Sequence, residues 1–368
     1  MDYKTLSEIA TNFRYGKMPD KTKITDSGDY PVWSGYRYVG HYDEKNVNKD
    51  EIVVVARGVG GTGDVKICRE DCFLTNLSIA FKTNEDINPL YVYYFYQIKN
   101  LRYLDSGSAQ SQITINDLKN VKIPIPYKNI QDKIVEVLNK IDQKIELNNQ
   151  INNNLYELGI NTFNSLYKEN NTRKTKFGEI VSLLRDGTHN PPKRVEKGIP
   201  LLTGQTIEKG FINYEKMTYV SETDYNKIHA KYEPIENDLV LTKIGTVGKV
   251  GILRNKDIPM CIHCNSALIR FDDNYIDQFT AFWFLNSKYF QTEFNKVITN
   301  TVQDFVSLGA MSNLDVEIPI DNENKELLKN TLMKMSELNN QNQKLVELRD
   351  TLLPKLMNGE IDLDNIEI

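Results

Sequence analysis

Much that would place this chain in a common class is missing from it. Cysteine is scarce, 4 in 368 residues, which excludes a disulfide-built scaffold and implies free thiols in a reducing compartment. No leader-like apolar segment follows Met1, because Asp2, Lys4 and Glu8 interrupt it, and the apolar stretch from Leu90 to Phe95 is far below membrane-spanning length. A soluble, cytoplasmic protein without membrane contact is therefore expected. Positive charge is not in excess either: 45 Lys and Arg face 50 Asp and Glu, the wrong sign for holding nucleic acid by bulk charge.

The distribution of that charge matters more than its sum. Residues 1–126 carry 16 basic and 16 acidic side chains and residues 172–320 carry 18 of each, whereas 127–171 carry 5 against 6 and 321–368 carry 6 against 10. The acidity belongs to the two segments read below as helices. Each large neutral segment can present a basic face balanced by an acidic one. At 40% hydrophobic and 26% charged residues the composition is globular, and the length implies two or three structural units.

What is present is a repeat. Tyr30-Pro31-Val32-Trp33-Ser34-Gly35 matches Ile199-Pro200-Leu201-Leu202-Thr203-Gly204, and Asp50-Glu51-Ile52-Val53-Val54 matches Asn237-Asp238-Leu239-Val240-Leu241. A Gly-rich run follows in each, Arg57 to Gly63 and Gly245 to Gly251. Then come Cys72-Phe73-Leu74 and Cys261-Ile262-His263, an aromatic segment (Tyr91 to Tyr96, Phe279 to Phe284), and a close on Val121-Lys122-Ile123-Pro124-Ile125 or Val316-Glu317-Ile318-Pro319-Ile320. Short β-branched runs bounded by Gly, Asn and Asp predict strands and hairpins, so each copy is expected to be a strand-rich α+β domain. The aromatic segments suit a helix packed on the sheet, although the pattern alone leaves helix and strand open.

After each copy the period changes to three and four. Ile130, Ile134, Val137, Ile141, Ile145, Ile151, Leu155 and Leu158 form one seam, and Leu328, Met335, Leu338, Leu345, Leu352 and Leu356 another. Each seam carries an asparagine, Asn148 and Asn342, of the kind that fixes pairing register at some cost in stability. Segments of ~30 residues make rods of ~45 Å, so antiparallel pairing of the two is expected over amphipathic helices lying on their own domains.

Several motifs could carry chemistry. Asn190-Pro191-Pro192-Lys193 approximates the Asn-Pro-Pro-aromatic motif of adenine methyltransferases, but lysine cannot stack on a flipped base. Pro19-Asp20 with Asp64-Val65-Lys66 fits a metal-dependent nuclease constellation only loosely. Cys68, Cys72, Cys261 and Cys264, with His263, could supply zinc ligands; matched positions in two separated copies instead predict buried strand cysteines. Gly58 to Gly63 lacks the Gly-Lys-Ser/Thr ending of a phosphate loop and predicts a tight hairpin. No metal, cofactor or catalytic residue is expected.

The run Gly107-Ser108-Ala109-Gln110-Ser111-Gln112-Ile113-Thr114-Ile115-Asn116-Asp117-Leu118 into Ile123-Pro124-Ile125-Pro126, the opening Asp186-Gly187-Thr188-His189-Asn190-Pro191-Pro192, and the C-terminal Leu348-Arg349-Asp350-Thr351-Leu352-Leu353-Pro354-Lys355-Leu356-Met357-Asn358-Gly359-Glu360-Ile361 resemble the specificity (S) subunits of Type I restriction-modification systems. The second copy departs from the pattern, with Val302-Gln303-Asp304-Phe305 at the Ser-Gln motif. The resemblance implies two target-recognition domains, 1–126 and 172–320, separated by an antiparallel coiled coil of two spacer helices, 127–171 and 321–358, with a tail at 359–368. It further implies a non-catalytic subunit that reads the two halves of a split site in double-stranded DNA. Two methylation (M) subunits would dock on the helices, and restriction (R) subunits would join through the complex. The rival reading is a free-standing DNA-modifying or DNA-cleaving enzyme built on the same domains. Side chains beside the turns are the expected DNA contacts, because Arg, Gln and Asn discriminate bases while Lys and Ser hold phosphates. In the first copy these are Trp33, Arg37, Arg57, Gln110 and Gln112, and in the second His189, Lys193, Gln205, Lys243 and Gln303.

Overall fold

The computed structural model describes residues 2–35, 37–58, 61–105, 112–169, 172–187, 192–215, 217–300, 303–320 and 324–361. Two compact units divide the chain: Met1–Glu146 with Lys344–Ile368, and Leu147–Gln343. Each is a mixed structure of strands and helices.

The first unit is built around Ile52–Val55, four β-branched residues that are all buried. A strand covered on both faces reads as continuous hydrophobics rather than as an alternation. Ile52 and Val54 face a core with Tyr91 and Phe95, and Val53 faces a smaller one with Val47, Cys72, Leu74 and Ala80. The sheet order is Ala10–Tyr15, Ser78–Thr83, Ile52–Val55, Val65–Ile67, antiparallel throughout. A second sheet, Arg37–Tyr42, Tyr30–Ser34 and Phe73–Leu74, adds a hairpin and one parallel partner. The aromatic segment forms the helix Pro89–Ile98, started by Asn88, whose side chain accepts from the Leu90 amide, and by proline in the first turn. Asp2–Thr5 closes the unit on Lys122–Ile125.

The second unit repeats this order with Val181–Asp186, Ser266–Phe271, Leu239–Thr242 and Val250–Ile252. Its second sheet holds Ile199–Leu202 parallel to Cys261–Ile262, its aromatic helix is Gln278–Asn286, and Thr172–Lys176 closes on Asp315–Pro319. Even the backbone before the central strand repeats: Asp50 has φ 65° and Asn237 φ 69°. Two sequence matches need correction. Val32 pairs with Phe73 where the matched Leu201 pairs with Cys261, so Cys261 corresponds to Phe73 and not to Cys72. Thr5 pairs with Lys122 and Lys176 with Asp315, so Pro319 corresponds to Pro126 and not to Pro124.

The long helices span Lys128–Ser165 and Lys325–Met357. In the first unit Ile134 and Leu138 share a core with Leu353, Leu356 and Met357, and Arg349 Nη1 lies 3.1 Å from Asp142 Oδ1. In the second unit Asn148, fully buried, donates to Asn342 Oδ1 at 2.8 Å, while Asn342 donates to Asn149 Oδ1 at 2.9 Å. Further along, Trp283 is packed on Gly159 and donates its indole N–H to the Leu328 carbonyl. Moving forward from 148 to 159 thus moves backward from 342 to 328, and the segments are antiparallel. The helices also bury apolar side chains in the domain cores, so pairing and domain packing occur together. Leu158, expected in the seam, is 45% exposed, because the buried face has shifted to Gly159 and Phe163. Among the described residues, no helix is long and apolar enough to cross a membrane.

A Cβ added to Gly159 would stand 2.2–2.5 Å from three atoms of the Trp283 ring. Gly159→Ala should therefore destabilise the second unit by about 1–2 kcal/mol net, overpacking outweighing the gain of about 1 kcal/mol in helix propensity. Urea melts followed by Trp fluorescence would check this, and an unchanged or raised midpoint would refute the packing.

His229 is buried between Tyr225 and Tyr232, ring centroids 4.8 and 5.1 Å away, and burial pulls its pKa down to about 4. The unfolded chain protonates first, so this contribution is complete above about pH 6.5 and is lost as pH falls towards 4. His229→Phe should flatten that decline between pH ~7.5 and ~5; equal acid sensitivity in both proteins would count against it.

Candidate nucleic-acid interface

In the first unit the central strand runs on into Ala56 and Arg57. Ala56 accepts from the Ile113 amide at 2.9 Å, and Arg57 bridges to Gln112. The chain then leaves through Gly58, at φ +131° with open space around it, and returns through Gly63, at φ +91°. A side chain at Gly63 would meet the backbone of Arg102 at 2.4 Å, so glycine is required there. The Arg57 guanidinium lies over the Tyr15 ring at 5.7 Å, and its Nε is buried with no hydrogen-bond partner among the described residues. A buried charged donor without an acceptor is costly in the free protein, which makes it a candidate for a ligand acceptor.

The hairpin joining Tyr30–Ser34 to Arg37–Tyr42 reaches the same end of the sheet. A Cβ on Gly35 would lie 3.7 Å from Val55 Cγ1. Trp33 is half-buried and meets Tyr38 edge-on at 5.8 Å, and the Tyr38 hydroxyl lies 2.7 Å from His41 Nδ1. Arg37 is exposed on this hairpin. The backbone N–H of Gln112 donates to Asp105 Oδ1 at 3.0 Å. The fold therefore gathers Trp33, Arg37, Arg57 and Gln112 at one end of the sheet; Gln110 lies outside the described residues.

The second unit has the same frame with different side chains. Lys243 accepts from the Val306 amide at 2.9 Å, Ile244 bridges to Phe305, and the chain leaves through Gly245 (φ +78°, open) and returns through Gly248 (φ +93°). Ladder positions equate Arg57 with Ile244, Tyr15 with Asp186 and Gln112 with Phe305. Gln303 then falls two residues before its bridge, as Gln110 does. Lys243 is 3% exposed, 3.0 Å from Asp186 Oδ1 and 5.1 Å over Phe305. Its charge is held inside the protein. Lys193, Gln205 and Gln303 are exposed, and His189 lies outside the described residues. In both units the serine that opens the neighbouring strand, Ser78 or Ser266, is buried with no hydroxyl partner among the described residues.

Tyr15, Tyr38, His41 and Lys249, which the sequence did not single out, stand beside the expected residues. Lys249 is exposed and donates to the Gly204 carbonyl at 3.2 Å, tying the two turns together. For Tyr15, His41 and Lys249 the signal was an aromatic or basic residue next to a glycine, which counts only once the turns are known to meet; Tyr38 carries no such signal.

The rival chemistry finds little support in the geometry. Asp20 caps Thr22, and Asp64 pairs with Arg102 at 3.1 Å. Cys68 and Cys72, sulphurs 3.3 Å apart, belong to the first unit and Cys261 and Cys264 to the second. Burial pushes the Cys261 thiol up to about 12. Among the described residues, no three His, Cys, Asp or Glu side chains are grouped to hold a metal. The Gly58–Gly63 run joins strand to strand, not strand to helix as a phosphate loop does.

Comparison with known proteins agrees with the repeat. The Type I restriction modification DNA specificity domain matches residues 1–157 and again 194–348. The Type I restriction enzyme MjaVIII specificity subunit of Methanocaldococcus jannaschii is 21% identical over 346 residues, 87% of this chain and 81% of that protein. The MjaIX specificity subunit of the same organism is 22% identical over 307 residues, 75% and 70% of the two chains. In fold, the chain is similar to the crystal structure of a Type-I restriction-modification system S subunit from M. genitalium, with a TM-score of 0.63 at 20% identity over 96% of this chain and 95% of that one. With two matched segments that span most of its length and sit on two copies of one α+β architecture, the chain belongs to the Type I restriction modification DNA specificity domain family.

Proposed function

We propose that this protein is the DNA-reading subunit of a Type I restriction-modification system and does no chemistry itself. Residues 1–126 read one half of a split site in double-stranded DNA and residues 172–320 the other. The helical segments 127–171 and 321–358, with the tail 359–368, serve as spacer and as the docking place for two methylation subunits, through which restriction subunits join. It works in the cytoplasm without a cofactor. One observation carries this reading: the same open glycine turn, Gly58 in one unit and Gly245 in the other, stands at the same ladder position, with a glycine of the second sheet, Gly35 or Gly204, packed on the end of the central strand at Val55 or Thr242. Two equivalent readers with different side chains are what a bipartite, asymmetric target requires.

Trp33, Arg37, Arg57, Gln110 and Gln112 would face the first half-site, and His189, Lys193, Gln205 and Gln303 the second, with Lys249 added on the phosphates. Lys243 supports the second site from within, held by Asp186.

In the assembled methylation complex, Arg57→Ala should weaken DNA binding by roughly 5- to 150-fold, the worth of one good base contact, and relax the sequence at one position. Lys243→Met should lower the stability of the second unit and leave the salt dependence of binding unchanged. The reverse pattern in binding isotherms at several salt concentrations would overturn the assignment. Exchanging residues 1–126 for those of another S subunit should change one half-site only, as read by methylome sequencing; a change in both halves would refute two independent readers. The pure chain should neither cleave DNA with Mg²⁺ nor methylate it with S-adenosylmethionine.

A further inference from the structure

In both units the four-stranded sheet ends on a three-residue strand, Val65–Ile67 in the first and Val250–Ile252 in the second. The second of these edges is covered. A hairpin of Ile207–Glu208 and Phe211–Ile212 turns through Lys209 (φ 48°) and Gly210 (φ 86°), the two-residue turn that suits strand twist. The Gly210 carbonyl accepts the Ile252 amide at 3.0 Å, and a Cβ on Gly210 would stand 2.6 Å from the Phe282 ring. Phe211 lies under the Arg254 guanidinium at 5.3 Å.

The first unit has the same groove without the hairpin. Ladder registers equate Ile67 with Ile252, and the next residues equate Arg69 with Arg254. The helix caps Asn88 and Asp277 equate Tyr93 with Phe282. Between Ile67, Arg69 and Tyr93 lies a groove of about 530 Å³. Tyr96 also lines it and is 3% exposed, with a buried hydroxyl that has no partner among the described residues. Arg69 is exposed where Arg254 is buried, and it lies over Tyr93 at 5.9 Å. Cys68 donates to Glu51 and Val55 to Asp64 across the ladder, so the alternate residue Ile67 turns its N–H outward into the groove. Among the described residues, no strand pairs on that side. The groove also flanks the paired helices, since Tyr94, next to Tyr93, donates to Asp142 of the first long helix at 2.8 Å.

We propose that this groove receives a hairpin turn from a docked partner subunit, set against the edge Val65–Ile67 as the chain's own hairpin turn is set against Val250–Ile252. The turn supplies a carbonyl to the Ile67 amide, a glycine against Tyr93 and an aromatic ring under Arg69. A turn seated in this way is anchored by one main-chain bond and takes its specificity from the ring and the guanidinium on either side of it. The identity of the partner rests on the function proposed above; the existence of the site does not.

The probe is a fluorescent, backbone-cyclised peptide of residues 206–213, a loop that closes in the intact protein through the Asn213 amide on the Thr206 carbonyl at 2.8 Å. Titrated against the full chain, it should bind saturably. Binding should weaken by roughly tenfold or more with Arg69→Ala in the protein or with Phe211→Ala in the peptide, as expected for loss of a desolvated cation–ring contact and its packing. No saturable binding up to about millimolar protein, or binding indifferent to both changes, would overturn the site. Methylation subunits should displace the peptide and duplex DNA should not; displacement by DNA, or none by the subunits, would overturn the partner. The peptide titration needs no DNA, so it succeeds or fails apart from the reading of the target.

Discussion

Both units depend on a central strand that must be dry on two faces and yet begin beside a charge. Glu51 and Asp238, the residues just before Ile52–Val55 and Leu239–Thr242, are buried carboxylates. Glu51 is held by Arg14 at 2.5 Å and Asp238 by Arg270 at 2.7 Å. Removing either arginine would strand a buried charge, a loss of about 3–5 kcal/mol, whereas the intact pair adds little net stability. Its value is positional. A carboxylate that can be satisfied at only one place pins the register of a strand whose all-apolar side chains would tolerate a slip. The pin repeats although its partner does not: Arg14 lies on the strand Ala10–Tyr15, but Arg270 lies on Ser266–Phe271.

With the register pinned, the far end of the strand is fixed too, and there the candidate site is assembled. The turn glycines at positive φ carry the backbone away from the sheet, and the glycine that follows the neighbouring strand, Gly35 or Gly204, is brought against Val55 or Thr242. The long helices are held by the same kind of logic. Arg254 binds Asp257 through two contacts at 2.8 and 3.0 Å and reaches Asn339 and Asn340 of the second long helix at 2.7 and 3.0 Å. In the first unit, Asp142 accepts from both Tyr94 and Arg349. Polar clamps between domain and helix set the angle of the helix more sharply than apolar contact alone, because hydrogen bonds are directional.

The repeat, the helical seams and the buried Asn148 were legible because they rest on periodicity, which is a local property of the chain. The errors fall where periodicity is blind. A two-residue slip at the closing strand keeps every side chain on its own face, so Pro124 and Pro319 looked equivalent until the two ladders, Thr5 on Lys122 and Lys176 on Asp315, set the register of each copy. The Cys72 match failed by one residue because Cys72–Leu74 and Met260–Ile262 are buried at every position, leaving no alternation to count. The aromatic segments could be either helix or strand for the same reason. Lys243 was unreadable as a buried side chain, since its partners Asp186 and Phe305 are distant in sequence and meet it only when three strands converge.

The two copies also show which differences the scaffold permits. Arg57 stacks over Tyr15 in one unit; in the other the cation has moved one residue back to Lys243, the ring has moved to Phe305, and an acid stands where the first ring stood. The backbone bridge beneath them is unchanged. Because main-chain hydrogen bonds hold that end of the sheet, its side chains can be exchanged without refolding the domain, and charge can be shown to a ligand in one copy and buried in the other. This separation of frame from surface is why the architecture can be read from one sequence while the recognised bases cannot. It is also why the edge beside Ile67 can stay open in the first unit while its counterpart is filled: the ladder requires the strand, and nothing in the ladder requires its outer neighbour.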